Sequence, residues 1–305
     1  MKRLIALILL LLVPGLARAQ GYQLLEAEGV IYEYNPQITA ILFAGVDSDG
    51  PMTTTDRYSV APRADTINLI ILDGYHKTMR ILAISRDTMA AIDRYTMDGT
   101  WRDQYVSQLG YAYTYGDGGR VSCENLANAV SRLLGGVPVH EYVVMNKSGI
   151  AAGNALVGGV TVTVPNDDVA HLHPELTAGA VVTLTAENVA DYVLYRDTGV
   201  PFSNNGRLAR QETFVKGFVA GVKALVETDP EAFWRSVEAN ADFLQTSITR
   251  SRYLHLAGKL DSVSFAEQRY DVLGGLDAGG SGHDEVYTEE AEILPLLLQL
   301  FYLER

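Results

Sequence analysis

"TINLIILDGYHKTMRILAISRDT", residues 66–88, decides the fold class. Two apolar runs, 66–72 and 78–85, flank "DGYHK" (73–77), which opens with Asp73-Gly74. Apolar, β-branched runs interrupted by Asp-Gly predict a β-hairpin. Upstream, "AILFAGVD" (40–47) reads as a buried strand that ends in a carboxylate. Downstream, "SCENLANAVSRLLGG" (122–136) reads as a helix, with Ser122 as N-cap and Gly135 past its end. "EYVVM" (141–145) is a strand, 148–159 a short helix and "VTVTV" (160–164) another strand. Thr185 caps a helical pattern over 185–198, and the longest helix runs over 207–227. Residues 230–262 read as two helical pieces, and the tail as helical on both sides of Pro295. The aromatic, Gly-rich stretch 101–120 reads as a structured loop and 273–284 as a flexible one. Strands and helices alternate without a linker. The expectation is one three-layer α/β/α domain over 38–305, a central mixed β-sheet with helices on both faces, preceded by a lead-in at 20–37.

The 305 residues are 48% apolar and 20% charged, which suits a packed globular chain. The formal net charge of −13 excludes a nucleic-acid binder, which needs a basic face for phosphates. "MKRLIALILLLLVPGLARAQ" opens with Lys2 and Arg3, continues with an apolar run from Leu4 to Val13, and ends in Ala17-Arg18-Ala19. That is the pattern of a secretory signal over 1–19, cleaved or retained as an anchor. Either outcome places the body outside the cytoplasm. Cys123 is the only cysteine, so no internal disulfide forms, and it reads as a small buried helix residue.

"GRLARQETF" (206–214) sets arginines into an acidic chain. At about 100° per residue, Phe214, Phe218, Val222 and Leu225 share one buried stripe. Glu212, Lys216 and Lys223 fall on the opposite face. Arg207 and Gln211 lie within the buried stripe and Arg210 at its border. Buried guanidiniums need partners. Internal carboxylates are one solution. An anion at the helix N-terminus, approached closely over Gly206, is the other.

Other element ends carry the same chemistry. Asp47 ends the first strand, and Arg63 and Asp65 precede the hairpin. Arg86 and Asp87 follow it, and Arg196 and Asp197 precede the long helix. Strand ends are where open α/β sheets bind ligands. Several guanidiniums suit phosphate oxygens, and two nearby carboxylates suit a hard cation such as Mg²⁺.

In order and spacing, "GVD" (45–47), "RADT" (63–66), "SRDT" (85–88), "LYRDT" (194–198) and "NNGRLARQ" (204–211) together resemble the LytR-CpsA-Psr family of Gram-positive cell envelopes. "LVGGVTVTV" (156–164) and 176–196 also look like family segments, so the likeness covers roughly 38–225. The resemblance implies a phosphotransferase of cell-wall biogenesis. Its donor would be a polyprenyl-pyrophosphate-linked glycan at the membrane surface, and its acceptor peptidoglycan, joined through a phosphodiester. By position it assigns Asp47 and Asp65 to Mg²⁺. Arg63, Arg86, Arg196, Arg207, Arg210 and Gln211 fall to the pyrophosphate. Arg86, Arg207 and Asp87 would serve catalysis, with Asp87 either the general base for the incoming hydroxyl or a structural partner of an arginine. It also implies an apolar lipid tunnel between sheet and helices, where Phe214 and Phe218 are either lining or plain core. The chain departs from the family pattern at Leu194, where an arginine is usual, at Asn204 in place of aspartate, and at Ser85 in place of proline. A non-catalytic polyprenyl-phosphate binder and a hydrolase of the same donor use the same residues.

Nothing else carries comparable chemistry. "HLH" (171–173) has metal-binding residue types but lacks further ligands nearby. No G-x-S-x-G elbow, P-loop or G-x-G-x-x-G occurs.

Overall fold

The computed structural model describes residues 24–54, 61–96, 98–197, 199, 203–260, 264–279 and 284–305. The segment 1–19 and the side chain of Asn204 lie outside this set. Among the described residues, no helix is long and apolar enough to cross a membrane.

The chain opens with a hairpin, β1 (Leu24–Ala27) and β2 (Val30–Tyr34), and then enters β3 (Ile38–Val46), β4 (Ala64–Asp73) and β5 (Thr78–Ile84). A second hairpin, β6 (Met89–Tyr95) and β7 (Trp101–Gln108), leads to helices α1 (Tyr111–Thr114) and α2 (Arg120–Leu133). Then come β8 (Glu141–Asn146), α3 (Lys147–Leu156) and the ribbon β9 (Thr161–Thr163) with β10 (Val181–Thr183). Helix α4 (Val189–Leu194) precedes the long α5 (Ser203–Thr228) and α6 (Pro230–Ala239). The chain ends with β11 (Leu244–Thr246), α7 (Arg250–Leu260), β12 (Ser264–Val272), the hairpin β13 (Leu276–Gly279) and β14 (Asp284–Tyr287), α8 (Glu290–Phe301) and β15 (Tyr302–Glu304).

Six strands form the central sheet in the order β11-β8-β3-β4-β5-β12. β3, β4 and β5 are antiparallel neighbours, whereas β8 joins β3 and β12 joins β5 in parallel. The sheet is mixed, as expected. Alternate residues of β3 separate the two faces. Ala40, Leu42 and Ala44 pack with Leu126 and Val130 of α2 and Phe301 of α8. Ile41 and Phe43 face the other way, and the Phe43 ring lies 6.4 Å from that of Phe218 on α5. Burial on both faces explains why these strands read as near-continuous apolar runs. Helices cover both sides, so the three-layer expectation holds.

The 66–88 hairpin forms, with Asp73 paired to Thr78 and residues 74–77 in the turn. Asp73 Oδ1 accepts from the N–H groups of Tyr75 (2.8 Å) and His76 (3.1 Å), and Lys77 takes a left-handed φ of 58°. The 101–120 stretch holds strand β7 and helix α1 where a loop was expected. The described ends of 273–284 belong to a hairpin. Ser122 does not cap α2: Asp117 Oδ1 receives Gly119 N–H (2.7 Å) and Ser122 N–H (3.2 Å) instead. Cys123 is buried, as expected, and burial pushes its thiol well above the usual range.

Candidate functional site

The site forms along one edge of the sheet, where β3, β5 and β8 end and antiparallel β4 begins. A β-bulge lies there. Val46 pairs with Ala64 and Gly45 with Thr66, so Asp65 has no partner across the ladder. Bulges re-aim side chains, and this one turns Asp65 into an arginine cluster. Arg86 Nη1 donates to Asp65 Oδ1. Arg63 Nε lies 3.8 Å from the same oxygen, and Arg207 Nη1 lies 4.0 Å from Oδ2. Asp47 is tied to Arg63: its Oδ1 accepts the Arg63 N–H at 2.6 Å, and its own N–H donates to Arg63 O at 3.0 Å. Asp47 and Asp65 line one small cleft of about 50 Å³ together with Lys147 and Gln211.

The electrostatics match an anion site. Arg207 is 5% exposed. Burial pushes its pKa down to about 10, with Arg86 and Arg196 adding to the fall and Asp65 opposing it. Asp87 is buried, and that burial holds it above the usual carboxylate range while Arg86 and Arg63 pull it back. Arg86 Nε and Arg196 Nε are buried without a hydrogen-bond partner among the described residues. An unsatisfied buried donor costs about 1–3 kcal/mol, more when charged. Phosphate oxygens would remove that cost.

Arg210 corrects the expectation. It is fully buried and closed by protein acceptors. Its guanidinium donates to Asn166 Oδ1 (2.9 Å), Asp168 Oδ2 (2.5 Å), Tyr192 O (2.9 Å) and Tyr195 O. Three residues from Arg207, it points away from Asp65 and ties α5 to α4 and to the 166–168 loop. Gly206 follows the same logic. A Cβ there would lie 2.1 Å from Asp168 Oδ2, so the glycine makes room for this internal ion pair and not for an external anion. Gln211 sits between the two roles: it lines the cleft, yet its Nε2 donates to Val193 O at 3.1 Å. Leu194, where the family pattern has arginine, lines the cleft as an apolar wall.

The cleft meets a larger cavity. Phe43 and Met145 line both. The second cavity, about 230 Å³, lies between the sheet and helices α3, α5, α6 and α7, with Ile41, Ile70, Val219 and Phe233 among its walls. That is far more than the roughly 15 Å³ one water needs, and its walls offer water almost no partner. Phe218 lines this cavity, while Phe214 lines the cleft and stacks on Phe218 with centroids 5.9 Å apart.

Sequence reasoning missed two residues. Gly110 lies against both arginine loops: its N–H donates to Arg86 O, and its carbonyl accepts from Ala64 N. A Cβ would sit 2.6 Å from Ala64 O and 3.3 Å from Arg86 Cβ. Gln108 joins Arg63 to Asp87. Both fall in the aromatic, Gly-rich stretch 101–120, which carries no periodic signal. The His171–His173 pair gathers no metal set: His173 pairs with Asp191 (2.8 Å), and no group of three or more metal-ligating side chains occurs among the described residues.

The fold that carries this site is shared with solved structures. The structure superposes on B. subtilis TagV with a TM-score of 0.64 at 18% identity, covering 87% of this chain and 96% of that one. TagT bound to LIIa-WTA gives 0.64 at 18% identity over 87% and 90%. A Streptococcus agalactiae protein, gbs0355, gives 0.67 at 20% over 87% and 86%. No curated protein sequence matches the chain significantly. The LytR_cpsA_psr family profile matches residues 25–269, and the chain belongs to that family.

Proposed function

We propose that the protein transfers a glycopolymer from a polyprenyl-pyrophosphate carrier to peptidoglycan, outside the cytoplasm and at the membrane surface. The observation that carries this reading is an arginine cluster gathered on Asp65, whose side chain also lines the cleft that shares Phe43 and Met145 with an apolar cavity of about 230 Å³. A polyprenyl pyrophosphate has the matching two halves, a charged head and a long apolar tail. Family membership and the fold shared with TagT, solved bound to LIIa-WTA, support the cell-wall role.

Arg63, Arg86, Arg196 and Arg207 would hold the diphosphate and stabilise charge as the P–O bond to polyprenyl phosphate breaks. A peptidoglycan hydroxyl would form the new P–O bond at the glycan-side phosphorus, and its proton would pass to a base. Asp87 is the candidate base, since burial raises its affinity for a proton. Asp47 and Asp65 would hold Mg²⁺, which supplies a positive charge against the diphosphate. The donor set suits that ion, because Mg²⁺ commonly takes one or two carboxylates and completes its shell with phosphate oxygens and water. Arg210 would serve only to fix α5.

The test is incubation of the full chain with a polyprenyl-pyrophosphate-linked disaccharide and peptidoglycan fragments, followed by mass spectrometry. A phosphodiester-linked product and released polyprenyl phosphate are expected. Release without a linked product would indicate a hydrolase. Binding without release would indicate a carrier-lipid binding protein.

A further inference from the structure

Gln108 closes β7 and pairs with Met89 of β6. Along β7, Arg102, Gln104 and Val106 are exposed. Gln108 lies on the same face two residues on, yet it is only 7% exposed. The C-terminal hairpin covers it: β14 bridges Thr88 through Val286, and Val286 N–H donates to Asp87 O at 3.0 Å. Under that hairpin the Gln108 amide makes three contacts. Nε2 donates to Asp87 Oδ1 (3.1 Å) and to Asp284 O (2.6 Å), and Oε1 accepts from Arg63 Nη1 (3.5 Å). Both acceptors lie on the donor end and the donor on the acceptor end, so one amide orientation satisfies all three. The covering hairpin lies beyond residue 269, outside the family match.

We propose that Gln108 is a positioning residue of the site, fixing the Asp87 carboxylate and the Arg63 guanidinium in one frame, and that the hairpin of β13 and β14 is the clamp that holds it there. The inference builds on the transferase reading, in which Arg63 meets the donor and Asp87 the incoming hydroxyl. A neutral amide suits this task. It bridges an anion and a cation without adding charge to either. It also occupies Asp87 Oδ1 and leaves Oδ2 to the incoming group.

The test uses the full chain with ¹³Cγ-labelled aspartate, the Asp87 signal being assigned by Asp87→Asn. Asp87 faces Arg86 on its own loop, Arg63 from the head of β4, Arg207 from α5 and Asp284 from β14. Gln108→Met removes a donor to the charged carboxylate, so the Asp87 titration midpoint should rise by about half a unit or more. In turnover of the lipid-linked disaccharide, kcat should fall about ten- to a hundredfold, and KM for the donor should rise by less, through the loosened Arg63. Gln108→Glu keeps the shape and should raise the midpoint further by placing a like charge beside Asp87, with the Tm of each variant reporting any folding loss. Val286→Pro, which removes the N–H bound to Asp87 O, should reproduce the kcat loss. An unmoved midpoint in both Gln108 variants would overturn the proposal, as would a KM effect without a kcat effect. If the wild-type chain shows no turnover, the transferase reading fails and the titration alone decides the role of Gln108.

Discussion

Arg207 and Arg210 lie one helical turn apart on α5, and removing them should affect stability very differently. The charged Arg207 guanidinium is held at a pKa of about 10 by burial and by Arg86 and Arg196. Against an ordinary value of roughly 12.5, that gap corresponds to on the order of 3 kcal/mol against folding. A base whose folded pKa is lowered carries this cost at every pH below its folded value, and sheds it as pH rises through and above that value. Arg207→Met removes the cost but also removes a neighbour 4.0 Å from Asp65, which keeps Arg86. Loss of the cost offsets loss of the contacts, so Tm should stay within about 2–4 °C of wild type, steady across about pH 6–8. Arg210→Met instead leaves the carbonyls of Tyr192 and Tyr195 and the Asp168 carboxylate without their donor. Breaking a buried pair costs about 3–5 kcal/mol, and partial exposure of Asp168 reduces this to about 2–4, so Tm should fall by about 5–10 °C. The assay is differential scanning fluorimetry with and without farnesyl pyrophosphate. Arg207→Met should weaken the ligand about ten- to a hundredfold, the loss of one charge-assisted bidentate contact. An Arg207→Met protein that melts well below wild type and still responds fully to ligand would refute the reasoning.

Gly110→Ala should cost about 1–3 kcal/mol in urea unfolding, because the new Cβ meets a backbone oxygen at 2.6 Å; an unchanged midpoint would show that the arginine loops can separate freely. Ala152→Phe should fill part of the 230 Å³ cavity, raise Tm, and abolish any gain in affinity from geranyl to farnesyl to geranylgeranyl pyrophosphate. Persistence of that chain-length dependence would place the tail elsewhere. EDTA and Asp47→Asn should each shrink the Tm rise given by farnesyl pyrophosphate, and together no further than either alone. Additive losses would separate Asp47 from the cation.

The sheet was legible because strands buried on both faces are apolar almost throughout, and 66–72 and 78–85 could hardly be anything else. The edge position of Asp47, Asp65, Arg86 and Asp87 followed from where those runs stop. What failed to show was what depends on distant partners. On a helical wheel Arg207 lies within the buried stripe and Arg210 at its border, so both point toward the core side. They differ only because Asn166 and Asp168, more than forty positions upstream, fold against one of them. Stretch 101–120 looked like a loop because β7 is half exposed and its Tyr and Gly content masks the alternation. Gln108 gave no signal, since its burial is imposed by a hairpin about 170 residues later in the chain.

Helix α5 unites the two halves of the site. It begins with Arg207 beside Asp65, passes Gln211 and Phe214 at the cleft, and continues to Phe218, Val219 and Val222 at the cavity wall. Positions 207, 211, 214, 218 and 222 follow a spacing of three or four, so they form one continuous face that changes from cationic to apolar along its length. Eleven residues separate Arg207 from Phe218, about 16 Å at 1.5 Å per residue. That face can meet an amphiphile lying parallel to the helix, head to the arginines and tail to the phenylalanines. Arg210 lies off this face and is pinned by four protein oxygens, which fixes the axial and rotational setting of the helix. The internal ion pair therefore holds the register in which Arg207 lies beside Asp65 while Phe218 lies beside Phe43.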